Sequence, residues 1–152
     1  MIETWRDYAA LPLRLVLALI FFVHGCQTLF GIFGGRGLMG TGDYLASHGL
    51  LPGEFWAVIA GLAGLFGGIA LLLGVLTRLV AMALAVEMIV ALVAINLHAG
   101  FAAAHGGAEF PLMVLAALLS LVLSGSQRYA VDERLPAWWT GDVPPRPSRA
   151  HA

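Results

Sequence analysis

Lysine is absent from this 152-residue chain, cysteine occurs once, and charge is scarce: 8 arginines stand against 9 Asp and Glu. A net charge of −1 lacks the basic face that a nucleic-acid binder needs to neutralise phosphates. Cys26, being alone, cannot form an internal disulfide, and it reads as a small packed residue. Also missing are a Walker loop, CxxC, HExxH, and GxSxG with triad partners, so the common phosphate, redox, zinc and acyl-transfer signatures have no footing. What fills the chain instead is apolar: 60% of residues are hydrophobic and the mean hydropathy is +0.88, beyond what a soluble domain of this size buries.

A hydrocarbon core about 30 Å thick takes roughly 20 residues of helix, and lipid offers the backbone no hydrogen bonds. Four runs meet or approach that length: residues 11–33, 55–76, 79–97 and 108–125, the last spanning only with its flanking residues included. They are continuous and rich in Leu and Ala rather than alternating, which favours an all-α bundle of four transmembrane helices over a barrel. Pro12, Pro52 and Pro111 stand just inside three of the starts. Thr77-Arg78 is all that separates the second and third runs, so these form a tight hairpin. The first run is too long for a signal peptide and no basic segment precedes it.

Arg6, Arg14, Arg78, Arg128, Arg134, Arg146 and Arg149 fall on one side of this arrangement and Arg36 alone on the other. The positive-inside rule then puts both termini in the cytoplasm. Trp5, Tyr8, Tyr129, Trp138 and Trp139 mark the inner boundary, Tyr44, Phe55 and Trp56 the outer one. Residues 1–135 are expected to form the membrane domain, and 136–152, rich in Pro and Arg, a disordered cytoplasmic tail.

Small residues let helices approach in lipid, and Ala60, Gly64 and Gly68 recur every four residues in the second run, widened by Gly61, Gly67 and Gly74. The stripe reads as close packing, or as a groove for a flat or chain-like ligand. At ~1.5 Å per residue, His24 lies about 16 Å deep and Glu87 about 12 Å, both near the middle of the core. A lone carboxylate there costs at least ~2.5 kcal/mol, so Glu87 is expected to face the bundle, with His24 as its partner. Such a pair is either a polar staple between helices or a site that holds a proton beside a quinone-like ligand, opposite Gly64. Asn96, His98, His105 and Glu109 gather near the outer surface. His98, His105 and Glu109 are weak metal candidates because their spacing matches no known ligand motif, and Glu109 also serves as a helix N-cap. The glycine-rich stretches at 34–37 and 40–42 read as a flexible loop or lid.

Several segments together resemble the DoxX family: Arg14, His24-Gly25, Gln27-Thr28-Leu29-Phe30-Gly31, the block from Gly67 to Arg78, Glu109-Phe110-Pro111-Leu112, and Gly125-Ser126-Gln127-Arg128-Tyr129-Ala130-Val131-Asp132. The resemblance covers about residues 10 to 135 and implies a four-helix membrane bundle. One branch of that family is linked to a thiosulfate:quinone oxidoreductase, so the resemblance implies a small subunit of a membrane redox complex, with a protein partner and a quinone near His24, Gln27, Glu87, Gly64 and Gly68. Gln27 stands where the family often has Lys, and Gly64 where it often has an acid. A scaffold without chemistry and a small-solute or proton transporter are the alternatives, and a homo-oligomer is an open assembly.

Overall fold

The computed structural model describes residues 10–125 and 130–134. The described residues form five helices, α1 (Leu11–Phe30), α2 (Gly37–Ser47), α3 (Gly53–Leu73), α4 (Thr77–Ala94) and α5 (Glu109–Ser124), with short 3₁₀ turns at Asn96–Ala99, Ala103–His105 and Val131–Arg134. No strand occurs among the described residues. Helices α1, α3 and α4 are long and apolar enough to cross a membrane, while α5, with 16 residues, is shorter. Together they form the all-α membrane bundle expected from the apolar runs. Below, the near end of the bundle holds Ala10, the α3–α4 turn and Gly125, and the far end holds both longer connections.

Local chemistry sets the helix ends. Helix α1 stops at Phe30, three residues short of the apolar run, because Gly31 takes a left-handed conformation (φ 69°) and turns its N–H back to the Gln27 carbonyl. Gly74 ends α3 in the same way (φ 68°). The turn that follows is Gly74-Val75-Leu76; Thr77 and Arg78, expected to be the turn, already belong to α4. Pro12 and Pro111 fall in the first turns of their helices, whereas Pro52 is the extended residue before α3.

The largest departure from expectation is α2. Gly37, Gly40 and Gly42 read as loop formers, yet all three lie in a helix of 11 residues packed on the start of α3. Gly42 has its Cα against the first turn of α3, where a side chain would meet Glu54, and Gly53 lies against the Gly42 carbonyl. Gly42 is there because two backbones touch, and tertiary contact overrides its poor helix propensity.

Helices α1 and α3 make the most intimate contact of the bundle. A methyl on Gly64 would stand 3.0 Å from the Phe21 carbonyl oxygen, and one on Gly68 2.5 Å from the Phe22 nitrogen; Gly25 and Gly61 are as tightly opposed. The buried stripe of α3 is Ala57, Gly61, Gly64, Gly68 and Leu71, with Ala60 half-buried beside it. Gly67 faces the other way, against Leu84 of α4. The remaining core, made of Ala10, Leu17, Ala18, Phe21, Leu71, Ala81, Leu84, Ala85, Val114, Leu118 and Leu121, fills the near half of the bundle. Cys26 is buried too.

Gly68→Val is expected to destabilise the bundle by at least ~1–3 kcal/mol, the usual range for overpacking, because backbone rather than a movable side chain stands in the way. Thermal unfolding in detergent reads this out, with the neighbouring half-exposed Ala60→Val as the tolerated control.

Candidate functional site

His24 and Glu87 occupy one layer of the bundle. Gly64 of α3 lies on Phe21 and Gly25 of α1, and Gly67 lies on Leu84 of α4. Because α3 and α4 are antiparallel, the residue opposite Gly64 is three further along α4 from Leu84, which is Glu87. His24 adjoins Gly25 in the same layer. Among the described residues, however, no hydrogen bond or ion pair joins the two. Glu87 is half-buried and its buried Oε2 has no hydrogen-bond partner, while His24 is exposed on the flank of α1. The expected direct staple between them is not formed, since the His24 side chain leaves α1 on its exposed flank while Glu87 is half-buried. What remains is a layer with an imidazole and a carboxyl on two helices.

Gly64 and Gly68 are filled by the α1 backbone, so the stripe offers a ligand no groove along its own face. Gln27 is committed to the exit of α1: its Nε2 donates to the Phe33 carbonyl at 3.0 Å, and its backbone carbonyl receives Gly31. Gly35 rests directly on Gln27, a contact that excludes any side chain at 35.

The outer polar residues hold their own connection together. Asn96 Nδ2 donates to the carbonyls of Gly106 (2.7 Å) and Gly107 (3.4 Å), and the Ala103 N–H donates to Glu109 Oε2 at 3.0 Å. Glu109 is the first residue of α5 rather than its N-cap, which is Ala108. Backbone bonds from Ala108 to Gly100 and from Glu109 to Phe101 close the loop. His98 and His105 are exposed, and no group of three or more His, Cys, Asp or Glu residues is gathered for a metal among the described residues.

A polar centre that the sequence did not single out sits at the near end. After α5 the chain returns across the α3–α4 turn, and Asp132, 6% exposed, is locked there. Its Oδ1 accepts from Leu76 N at 2.6 Å, its Oδ2 from Thr77 N at 2.9 Å, and its own N–H donates to the Gly74 carbonyl at 3.0 Å. The carboxylate thus caps the N-terminus of α4, satisfying donors that the helix cannot and complementing its dipole. It also stabilises Leu76, which is held at φ 48°, a conformation that an isolated leucine avoids. Arg14, 1% exposed, brings its Nη1 to 2.9 Å from where a Gly74 methyl would stand, and Ala130 packs on the same glycine. Arg78 Nε lies as near to the corresponding position on Gly125. The signal was present in the separate motifs; only the fold shows that they meet.

Residues 9–97 match the DoxX family, a stretch that takes in α1 to α4 together with Arg14 and the Gly74–Arg78 turn. The chain belongs to the DoxX family. Among its relatives, a Bacillus subtilis protein named "Putative oxidoreductase CatD" is 33% identical over 126 residues, covering 83% of this chain and 86% of that one. A Haemophilus influenzae "Uncharacterized protein" is 31% identical over 88% of this chain and 95% of its own length. The "Uncharacterized membrane protein Rv3486" of Mycobacterium tuberculosis is 31% identical over 81% and 78%. No solved structure matches. Asp132 lies beyond the matched residues, yet it closes on a turn within them, so this DoxX bundle is completed by the segment after α5.

Asp132→Ala is expected to lower stability by about 0.5–2 kcal/mol, as loss of an N-cap does, with Asp132→Asn intermediate because one acceptor survives. Denaturant titration of the detergent-solubilised protein measures both. Loss of less than a few tenths of a kcal/mol in Asp132→Ala would remove the capping role.

Proposed function

We propose that this DoxX protein is an inner-membrane subunit of a redox complex and offers a proton-handling, quinone-proximal layer at His24 and Glu87. Glu87 carries the proposal: a carboxyl deep in a spanning helix, with one buried oxygen unpartnered, is expensive to keep and is rarely kept without use. The relative bearing an oxidoreductase name supports the redox class. Reduction of a quinone to a quinol takes two electrons and two protons. A chain with no redox motif supplies none of the electrons, which come from a partner subunit. Its own contribution is to hold protons at the Glu87 carboxyl and the His24 imidazole, in the membrane layer beside which a quinone binds. Since Gly64 and Gly68 are covered by α1, the ring approaches from the exposed flank of His24 rather than along the glycine stripe; Gln27 holds the α1 exit in place.

The near end faces the cytoplasm in this proposal, because Arg14 and Arg78 stand there and the order of the apolar runs assigns the five arginines at 6, 128, 134, 146 and 149 to the same side. Arg6, Arg128, Arg146 and Arg149, with Trp5, Tyr8, Tyr129, Trp138, Trp139 and the segment 136–152, fall outside the described residues, as does the side chain of Arg134.

One observation favours a pure scaffold instead: the best-satisfied polar centre, around Asp132, caps a helix and performs no chemistry. The two readings separate in the native complex, purified with its partners in mild detergent. Glu87→Gln and His24→Ala are each expected to lower quinone-linked turnover roughly 10²-fold, the low end of what a positioned proton-transfer group contributes, with co-purification intact. Unchanged turnover in both variants would leave the scaffold standing.

A further inference from the structure

Helix α2 is a short helix that neither spans nor hangs free. Its Gly42 and Leu45 are buried, with Gly42 against the first turn of α3, while Arg36, Asp43 and Ser47 form an exposed polar stripe along the opposite face. Around it lies a collar of exposed apolar groups. Phe30 and Ile32 precede it at the end of α1, Phe33 (64% exposed) and Leu51 (73%) flank it directly, and Met39 (74%) stands on α2 itself. Phe55 and Trp56 follow at the start of α3, packed edge to face with ring centroids 5.5 Å apart.

Such residues stand in water at a cost and in hydrocarbon at a gain of about 25 cal/mol per Å². The collar is continuous with the lipid-facing surfaces of α1 and α3, which names its occupant. Arg36 fits the same surroundings: its guanidinium lies 4.4 Å from the Tyr44 ring centroid, a stacked position that leaves its N–H groups free to reach outward at the level where aromatic belts and phosphates meet. That position accounts for an arginine at the far end, while Arg14 and Arg78 stand at the near end.

We infer that α2 is an interfacial helix seated on the bilayer leaflet at the far end, with Phe33, Met39 and Leu51 embedded at the acyl boundary, Arg36 among the lipid phosphates, and Asp43 and Ser47 facing water. Its seat is fixed by protein on one side, through Gly42 and Gly53, and by lipid on the other. This inference is independent of any redox chemistry.

Spin labels test it. Phe33→Cys, Met39→Cys, Leu51→Cys, Asp43→Cys and Ser47→Cys are made singly on a Cys26→Ala chain, labelled, and placed in vesicles of phosphatidylethanolamine and phosphatidylglycerol. Collisions with oxygen, which concentrates in lipid, are compared with collisions with a water-soluble nickel chelate. Labels at 33, 39 and 51 are expected to favour oxygen, at depths of about 5–10 Å below the headgroups, as interfacial helices do, and labels at 43 and 47 to favour nickel. Nickel preference at 39 and 51 would place the helix in water, and exclusion of both reagents there would mean that protein rather than lipid covers the collar; either result overturns the inference.

Discussion

The bundle depends on the contact between α1 and α3. In lipid, apolar surface gains little by leaving the solvent, so helices must associate through close packing. Here four glycines, Gly25 on α1 and Gly61, Gly64 and Gly68 on α3, remove the side chains that would hold the helices apart, and backbone meets backbone. Everything else is registered on that seam. Gly67, one residue off the stripe, carries the register to Leu84 of α4, and α5 then packs on α4 to complete the core.

Close packing alone leaves helix ends unsatisfied, and the near end solves this by returning the chain to itself. The α3–α4 turn is short enough to force Leu76 into a left-handed conformation and to expose two backbone donors. Asp132 takes both donors, and Arg14 and Ala130 close over Gly74. A residue after the last helix therefore stabilises the link between the second and third membrane helices.

The apolar helices of the bundle were legible because continuous apolar runs near spanning length have few other solutions. The α1–α3 stripe was also visible, shifted by one residue at its start: Ala60 was counted in and Ala57 left out, since a strict four-residue repeat drifts from the 3.6-residue helix. Less was legible where a residue's partner is remote. Gly40 and Gly42 signal a loop locally, and only the remote contact of Gly42 with Gly53 and Glu54 shows why the segment docks as a helix. Asp132 looked like part of a tail motif, because nothing in its neighbourhood reveals that Leu76 and Thr77, more than fifty residues earlier, present their N–H groups to it. His24 and Glu87 were matched by depth, which placed them in one layer, but depth does not say which flank of a helix a side chain leaves from.

The two halves of the molecule divide stability from opportunity. Large buried side chains, from Leu17 and Phe21 to Leu118 and Leu121, lie toward the near end, together with the Asp132 cap. Toward the far end the core gives way to glycine contacts, an accessible imidazole at His24, a carboxyl oxygen without a partner at Glu87, and connections tied by Asn96, Gln27 and Glu109. A polar group that completes the fold is one whose hydrogen bonds are used up, as at Asp132. Glu87 has capacity left over in a place where capacity is costly, and that surplus, rather than its identity as an acid, is what separates a candidate site from a structural centre.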